Sequence, residues 1–274
     1  MSDFNHATIR FAVWNLAGFS LDGQGIRPDS TKAARQAEGL ALLDAEFICL
    51  VEVSPLNHIE LLASKIREDY GVTYNHTILE QPESGLHIGF LHKSGVEVGN
   101  PRFIEGSEGT YSSGRRAIAV DVKARGLNAI VVGVHLKSGR DRPEQRIRDS
   151  QCDVIGRWLT EVRDTPPLGR RSLVLMGDFN MIPGQDVSNF HLLGGDDVMD
   201  FVSSWDLQDR FSHILEKGRA NLLDGFAVSR TFSTDYVRGS LLLFPMHWTL
   251  DMGRERFRDE VSDHLPFVAS FRVF

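Results

Sequence analysis

The 274-residue sequence contains only two cysteines, Cys49 within an apolar run and Cys152 within a helical pattern. This usage predicts small buried hydrophobic side chains rather than a disulfide framework. Continuous apolar runs are short, and none approaches the roughly 18 residues that a membrane span needs. The first residues show no basic segment followed by an apolar one, so we expect no secretion signal. Together these absences predict a cytoplasmic protein without a membrane span.

The sequence also lacks an excess of positive charge. Its 30 lysines and arginines stand against 37 aspartates and glutamates, which gives a formal net charge of −7. That balance disfavours a protein that coats duplex DNA by bulk electrostatic attraction. It does not exclude an enzyme, because a site that collects several carboxylates for a divalent metal lowers the net charge by itself.

Hydrophobic patterns predict strands that arrive in clusters, separated by a few helices. The predicted strands cover residues 9–16, 46–53, 86–92, 116–122, 129–136, 172–176, 224–229 and 267–274. Helices are predicted over 31–44 and 141–164, and a third is predicted to begin with Ser54 as its cap and Pro55 at its first position. We find no repeat or linker and predict one domain over residues 1–274. The pattern favours an α/β fold with two packed sheets and helices outside.

One stretch, SLVLMGDFNMIP at residues 172–183, organises the prediction of a site. Its apolar first half is typical of a strand buried on both faces, which stops at Gly177. Asp178 and Asn180 then lie two residues apart and point roughly the same way. Such a pair can hold a metal ion, a water or a phosphate oxygen. The alternative interpretation is a turn in which both side chains satisfy local backbone groups.

Other polar residues share this position at or just past the end of an apolar strand. The full set is Asn15, Glu52, His135, Asp178, Asn180, Asp224, Asp263 and His264. A single acid at a strand end is usually a turn or cap residue. Eight such residues on five or six strands predict that one edge of the paired sheets carries a common site.

The motifs around these residues follow one another in the order WNL, LVEV, VHLKS, LMGDFN, LLDGF and SDHLP. This ordered series resembles the endonuclease/exonuclease/phosphatase superfamily, which shares the fold of pancreatic deoxyribonuclease. The resemblance extends from residue 9 to residue 274. It implies a four-layer α/β/β/α sandwich of two mixed sheets, a requirement for Mg²⁺ or Mn²⁺, and hydrolysis of a phosphate ester.

A divalent metal centre is the first part of the implied site. Mg²⁺ prefers oxygen ligands and keeps several waters, so one or two carboxylates and a substrate phosphate are sufficient to hold it. Glu52 is the first choice of ligand, with Asp263 and Asn15 nearby. The metal would polarise the phosphate and offset charge on the leaving group.

The remaining residues of the implied site are catalytic. Asp178 is expected to position and deprotonate the attacking water, and Asn180 to donate to a non-bridging phosphate oxygen. His264 would do the same when protonated, or act as the base. Asp224 would orient His264 by accepting from its other ring nitrogen. His135 would stabilise or protonate the leaving oxygen.

Two positions separate the sequence from the apurinic endonucleases of the same superfamily. Those enzymes usually carry an aspartate two residues after the first asparagine, where this chain has Ala17. They also have tyrosine at the position of His135. The chain is therefore more similar to the deoxyribonuclease, sphingomyelinase and general bacterial hydrolase branches.

Basic side chains near the motifs favour a polyanionic substrate. The residues predicted to bind substrate phosphate are Arg115, Arg116, Lys137 and Arg140. Solvated charges at a strand start or a helix start are the alternative for these residues.

Three functions remain open from the sequence. The leading one is a metal-dependent nuclease or phosphodiesterase with nucleic acid as substrate. The first alternative is a phosphatase or phosphodiesterase for a small or lipid-linked phosphate, such as an inositol phosphate or sphingomyelin, which the apolar stretch at residues 241–248 keeps open. The second alternative is a non-catalytic binding protein of the same fold.

Overall fold

The computed structural model describes residues 8–18, 30–110, 114–194, 197–202, 211–214, 220–230 and 235–274. In these ranges the strands are β1 (Thr8–Asn15), β2 (Phe47–Val53), β3 (Asn75–Ile78), β4 (His87–His92), β5 (Glu97–Phe103), β6 (Ile118–Ala124), β7 (Leu127–His135), β8 (Ser172–Asp178), β9 (Met199–Phe201), β10 (His213–Ile214), β11 (Ala220–Asn221), β12 (Asp224–Ser229), β13 (Leu242–Leu243) and β14 (Phe267–Arg272). The helices are α1 (Ser30–Leu43), α2 (His58–Tyr70), α3 (Arg142–Asp164), α4 (Val187–Leu192), α5 (Met246–Thr249) and α6 (Arg254–Glu260), with a 3₁₀ turn at Leu168–Arg170.

The strands form two six-stranded sheets and a separate two-stranded ribbon of β10 and β11. The first sheet has the order β13-β14-β1-β2-β4-β3, and the second has the order β5-β6-β7-β8-β12-β9. Both sheets are mixed, because β1 pairs parallel with β2 and β7 pairs parallel with β8 while their other neighbours run antiparallel. These parallel pairs bring the carboxyl ends of two strands side by side in each sheet.

Alternation along β8 shows how the layers pack. Val174 and Met176 belong to the large core between the two sheets, whereas Leu173 and Leu175 belong to a second core beneath α3. Both faces of this strand are therefore buried, as its continuous apolar run predicts. On the other side of the molecule, α1 and α2 cover the first sheet with residues such as Leu40 and Leu62. The predicted four-layer α/β/β/α sandwich is confirmed.

Three sequence predictions of local structure were wrong. Helix α2 begins at His58 rather than at Ser54 and Pro55, because the His58 amide first closes a turn onto the Pro55 carbonyl oxygen at 2.9 Å. The stretch between residue 230 and Glu260, where the sequence patterns above predict no helix or strand, contains α5, α6 and β13. The edge strand β5 was missed because its sequence, EVGNPRF, carries glycine and proline at a bulge against β6, where they are tolerated. Residues 195–196, 203–210 and 215–219, in another stretch without a predicted helix or strand, lie outside the described residues.

None of the helices in the described ranges has the length and apolar character that crossing a membrane requires.

Gly177 lets β8 approach β7 next to the predicted site. Its φ is +150°, and a Cβ atom there would lie 2.0 Å from the Val134 carbonyl oxygen, which belongs to rigid backbone. We expect Gly177→Ala to lower the free energy of unfolding by at least about 2 kcal/mol, because neither strand can shift without disturbing the sheet. Urea denaturation followed by circular dichroism measures this effect.

Gly99→Ala provides the matched control, since a Cβ atom at this edge-strand glycine meets no atom within 4 Å. It should leave the denaturation midpoint nearly unchanged. Equal midpoints for the two variants would contradict the close approach at Gly177.

Candidate active site

The eight strand-end residues predicted from the sequence come together at one edge of the sandwich. In the second sheet, His135 at the end of β7 is in register with Asp178 at the end of β8, and Asp178 is in register with Asp224 at the start of β12. These three residues form a row across adjacent strands. The first sheet contributes Asn15 and Glu52 from the ends of β1 and β2, together with the loop before β14.

The backbone turns sharply where these strands end. Ala17, Glu52 and Asn180 have φ values of +50°, +57° and +51°, the left-handed region that residues other than glycine seldom adopt. The pairing of β2 with β4 is also irregular between Leu50 and Val53, so Glu52 lies in a bulge. Bulges and left-handed residues redirect side chains and concentrate at functional sites. Here they direct the chain out of three buried strands at the same edge.

Asn15 joins two carboxylates. Its Nδ2 donates to Glu52 Oε1 at 3.2 Å and to Asp178 Oδ2 at 3.0 Å, while its Oδ1 accepts from the Ala17 amide at 2.9 Å. The amide oxygen is thus engaged with the backbone, and the amide nitrogen faces the acids. Asn15 orients the carboxylates in this structure, and its role as an oxygen ligand stays a prediction.

Asp224 and His264 form a short, buried ion pair in the site. His264 Nδ1 lies 2.7 Å from Asp224 Oδ2, and both side chains are almost fully buried. Burial alone would lower the pKa of His264, but the charge and hydrogen bond of Asp224, helped by the Asp178 carboxyl, raise that pKa to about 10. The imidazole is therefore cationic at neutral pH, with its Nε2 side 3.9 Å from Asp178 Oδ2.

Residues around this pair, absent from the predicted set, hold it in place. Ser212 Oγ donates to Asp224 Oδ2 at 2.6 Å, and Trp14 Nε1 donates to the His264 carbonyl oxygen at 2.8 Å. Ser262 Oγ donates to the Asn15 carbonyl oxygen and accepts from the His264 amide. Of these residues, Trp14 lies within the WNL motif and Ser262 within the SDHLP motif. Ser212 lies in none of the motifs, so no sequence signal identifies it.

Asp178 lies at the centre of the site, and its carboxyl group is surrounded by other charged groups and by buried protein. Burial, and after it the negative charge of Asp224, raise the pKa of its carboxyl, while protonated His264 acts in the opposite direction. Its Oδ1 accepts from the Asn180 amide at 2.9 Å. Asn180 in turn donates one of its side-chain hydrogens to the Leu136 carbonyl oxygen at 3.0 Å, which leaves the second hydrogen of the same amide for another acceptor.

His135 differs from His264 in its protonation. Burial, together with the charges of Arg115, His264 and Lys137, holds the pKa of His135 well below its usual range. Its Nε2 lies 3.4 Å from Glu52 Oε1 and 3.8 Å from Asp178 Oδ2. A neutral imidazole beside two carboxylates favours the tautomer with hydrogen on Nε2. His135 is therefore suited to donate a hydrogen bond rather than to transfer a proton at neutral pH.

Asp263 lies at the rim of the site with a histidine that the sequence analysis missed. His213 Nε2 is 3.4 Å from Asp263 Oδ2, and its ring stacks on that of His264 with the centroids 4.6 Å apart. Although burial acts in the opposite direction, His213 and His264 lower the pKa of Asp263. His213 belongs to a strand of only two residues, so no periodic pattern identified it.

The four basic residues predicted to bind phosphate separate into two pairs. Arg115 and Lys137 line a cavity of about 280 Å³ beside the end of β7. The other two form ion pairs elsewhere: Arg116 Nη1 lies 3.2 Å from Glu105, and Arg140 Nη1 lies 2.7 Å from Asp186. The structure thus brings Arg115 and Lys137, but not the ionic groups of Arg116 and Arg140, towards His135.

Arg148 in helix α3 holds two loops together rather than facing the site. Arg148 is fully buried, and its Nη1 donates to the carbonyl oxygens of Lys137 and Gly139 at 2.6 and 3.1 Å. Its Nη2 lies 3.5 Å from Asp186 Oδ1, and Asp186 also accepts from the Ile182 amide. Arg148 therefore ties the loop after β7 to the loop after β8.

Among the described residues, three groups of side chains bring possible ligand atoms within 4.8 Å of one another: Glu52/His135/Asp178, Asp178/Asp224/His264, and His213/Asp263/His264. The first group suits a hard divalent cation best, because it offers two carboxylates and contains no cationic imidazole. The other two contain His264, whose positive charge opposes a metal.

No protein-family model matches the chain, and no curated protein matches its sequence. Solved structures do match. TDP2 from C. elegans superimposes with a TM-score of 0.69 at 15% identity, covering 99% of this chain and 77% of the other. TDP2 from D. rerio, complexed with a single-strand DNA product, gives 0.67 at 17% identity, with 97% and 99% covered.

An endonuclease/exonuclease/phosphatase from Bacteroides vulgatus gives a TM-score of 0.68 at 14% identity, with 97% and 99% of the two chains covered. The fold therefore defines an α/β sandwich of the deoxyribonuclease I type. More particularly, the chain has the fold of the endonuclease/exonuclease/phosphatase superfamily, and the predicted resemblance is confirmed at the level of the fold.

The contact between Asp224 and His264 predicts a histidine that stays protonated at neutral pH. In the metal-free protein we expect the pKa of His264 to lie near the value of about 10, and Asp224→Asn to move it towards about 6.5. Because the folded-state pKa exceeds the unfolded one, this contact stabilises the fold fully below about pH 6.5, and that stabilisation is lost as the pH rises through the folded-state pKa. NMR titration of the imidazole resonances in EDTA measures the shift.

Asp153→Asn, which removes one exposed charge from α3, is the control and should not change the titration. A His264 imidazole that already titrates near pH 6.5 in the unsubstituted protein would rule out the ionised contact.

Proposed function

We propose that this protein is a divalent-metal-dependent phosphodiesterase that hydrolyses nucleic acid. The observation that carries the proposal is the meeting of Glu52, Asp178 and Asp224 with two imidazoles of opposite protonation at one edge of the sandwich. Phosphodiester hydrolysis requires a cation, a base for water and donors for the phosphate oxygens. The cluster contains a candidate for each.

Glu52 is the residue that would hold Mg²⁺ or Mn²⁺, with Asp263 at the rim as a further predicted ligand. When bound, the ion would polarise the phosphate and neutralise charge that develops on it. Asn15 keeps the carboxylates of Glu52 and Asp178 in position through its paired hydrogen bonds. The single-strand DNA product in the D. rerio TDP2 structure supports nucleic acid as the substrate class.

Asp178 is the proposed base. Its raised pKa makes the carboxylate a stronger proton acceptor than an exposed aspartate, which suits a group that deprotonates water as the oxygen attacks phosphorus. As the water oxygen bonds to phosphorus, the bond to the ester oxygen would break, His135 Nε2–H would donate a hydrogen bond to that leaving oxygen, and the leaving oxygen would take its proton from solvent.

Two donors would stabilise the negative charge on the non-bridging oxygens. His264, held cationic by Asp224, presents its Nε2 side towards Asp178. Asn180 retains one amide hydrogen after its bond to the Leu136 carbonyl oxygen. Fixed donors in a buried site stabilise a transition state without having to reorganise when charge develops.

A substrate panel tests the proposed activity directly. Single- and double-stranded DNA, RNA, bis-p-nitrophenyl phosphate, inositol phosphates and sphingomyelin are incubated with Mg²⁺ or Mn²⁺, and with EDTA as control. We expect cleavage of phosphodiesters with at least one nucleic acid among the substrates, and loss of activity in EDTA. Rapid hydrolysis of an inositol phosphate or sphingomyelin with no cleavage of any oligonucleotide would favour the alternative phosphatase or lipid-directed function.

Glu52→Gln tests the proposed metal position. The substitution keeps the shape of the side chain but removes a charge that holds the cation, so we expect weaker Mn²⁺ binding and at least about a 100-fold lower kcat. Binding is followed by electron paramagnetic resonance of free Mn²⁺, and folding by circular dichroism.

Glu105→Gln is the matched control, because Glu105 is exposed and pairs only with Arg116 among the described residues. It should leave both measurements unchanged. An unaltered Mn²⁺ affinity in Glu52→Gln would remove Glu52 from the metal site.

A further inference from the structure

Two cavities of opposite character adjoin the site at the two ends of the row formed by His135, Asp178 and Asp224. His135 and Asp178 end β7 and β8, and Asp224 begins β12; because the three strands are neighbours in that order, the row spans about 10 Å. One cavity lies beside β7 and the other beside β12 and β9. A substrate whose phosphate reaches Asp178 would therefore extend towards both.

The cavity beside β7, here called the basic cavity, is polar. Its volume is about 280 Å³, and Arg115, Lys137 and Gln151 line it together with Glu83 and Glu108. Positive charge from Arg115 and Lys137 reaches His135, whose pKa it helps to lower. An anionic continuation of the substrate would find its counter-charges on this side.

The cavity beside β12, here called the aromatic cavity, is larger and apolar. Its volume is about 490 Å³, within the range of small-ligand sites. The side chains that define it are Phe179, Phe190, Phe201, Leu223 and Phe226. Asp224 belongs to the same wall, which makes the cavity continuous with the catalytic row.

The charged groups along the aromatic cavity favour a neutral group over a second phosphate. Its acidic lining residues are Asp200, which pairs with Arg230 at 2.7 Å, and Asp224, which pairs with His264; His191 lines it as well. No lysine or arginine lines the cavity within the part of the chain that the structure describes. An anion placed there would lose its water without a lysine or arginine in the wall to replace it. We therefore expect the part of a substrate that enters to be neutral.

The walls favour a flat ring over a flexible chain. Phe201 packs edge-to-face against Phe190 with centroids 4.8 Å apart and against Phe179 with centroids 5.8 Å apart. These contacts fix the rings at near-perpendicular angles, so the cavity presents both ring faces and ring edges. A planar aromatic group can stack on one wall and meet the edge of another.

We propose that the aromatic cavity binds a neutral aromatic ring attached to one side of the scissile phosphate, while the rest of the substrate leaves across the basic cavity. A nucleobase and an aryl ester share this chemistry. The inference rests on the proposed function and adds the substrate's direction: the ring lies on the β12 side and the anionic chain on the β7 side.

Matched dinucleotides test which side of the phosphate needs a ring. In each, one base is replaced by a tetrahydrofuran abasic analogue, either 5′ or 3′ of the phosphodiester. We expect loss of one base to lower kcat/KM about ten-fold or more, the scale of a single stacking contact, and loss of the other to change it much less. Equal losses, or none, would overturn the assigned direction.

A second set of substrates separates the sources of the ring. Thymidine phosphodiesters carrying a benzyl group (here called the aryl ester), a nucleoside or an n-octyl group on the same oxygen are compared, because these three alcohols differ little as leaving groups. Higher kcat/KM for the nucleoside ester than for the aryl ester identifies a base-binding cavity, and the reverse order identifies an aryl-binding one. An octyl ester that equals or exceeds both would show that the cavity takes an alkyl chain, and the proposal would be wrong.

Two surface variants on α4 connect these preferences to the cavity. Val187 lines the aromatic cavity and is 50% exposed, whereas Leu192 is 39% exposed and does not line it. Val187→Asp should reduce kcat/KM for the ring-bearing substrates and abolish the preference for a ring. Leu192→Asp, the control, should retain both. A preserved ring preference in Val187→Asp would place ring recognition elsewhere.

Binding of neutral adenosine, followed by amide NMR shifts, keeps the inference separate from the proposed activity. Shifts at Gly225 and Val187 without shifts at Ser138 and Gln151 support ring binding in the aromatic cavity. If these shifts occur but no phosphodiester is hydrolysed, only the proposed function is wrong. If phosphodiesters are hydrolysed but these shifts are absent, only the proposal for the aromatic cavity is wrong.

Discussion

Repulsion among buried carboxylates is the constraint on which the site depends. Glu52, Asp178 and Asp224 converge at one edge of the sandwich, and Asp178 and Asp224 have almost no solvent exposure. Such a cluster is costly unless positive charge or hydrogen-bond donors compensate it. The chain supplies one cation in protonated His264 and several neutral donors around it. A divalent ion beside Glu52 would complete the compensation, which is consistent with the proposed metal-dependent activity.

The backbone, rather than any single side chain, makes this crowding possible. Strand register aligns His135, Asp178 and Asp224, and left-handed residues at Glu52 and Asn180 turn the chain at the same edge. Buried Arg148 then fastens the loops that follow β7 and β8 to each other. Because these features are fixed by packing of the two cores, the polar groups are held in position before any substrate arrives.

The sandwich could be predicted from the sequence because its main strands are clear apolar runs. The eight strand-end residues could be assigned to one site because each lies at or near one end of such a run and within a recognisable motif. Ser212 and His213 escaped prediction because His213 begins a strand of only two residues and Ser212 directly precedes it, so no periodic pattern covers either residue. Strand β5 escaped because its glycine and proline are features of a bulged edge. The partners of Arg140 and Arg148 lie far along the chain at Asp186, so their ion pairs follow from tertiary contacts that local patterns do not contain.

The net charge of the chain does not indicate how this protein would bind a polyanionic substrate. The overall charge is −7, yet Arg115 and Lys137, together with Glu83 and Glu108, border the β7 end of the row formed by His135, Asp178 and Asp224, while acidic and aromatic groups border the β12 end. Several arginines that suggest a phosphate-binding loop in the sequence are neutralised by carboxylates in the fold. The two ends of the row lie about 10 Å apart, the distance from the first to the third of three neighbouring strands, and differ in the side chains that they offer. Such a difference would distinguish the two sides of a phosphodiester, which a uniformly basic surface would not.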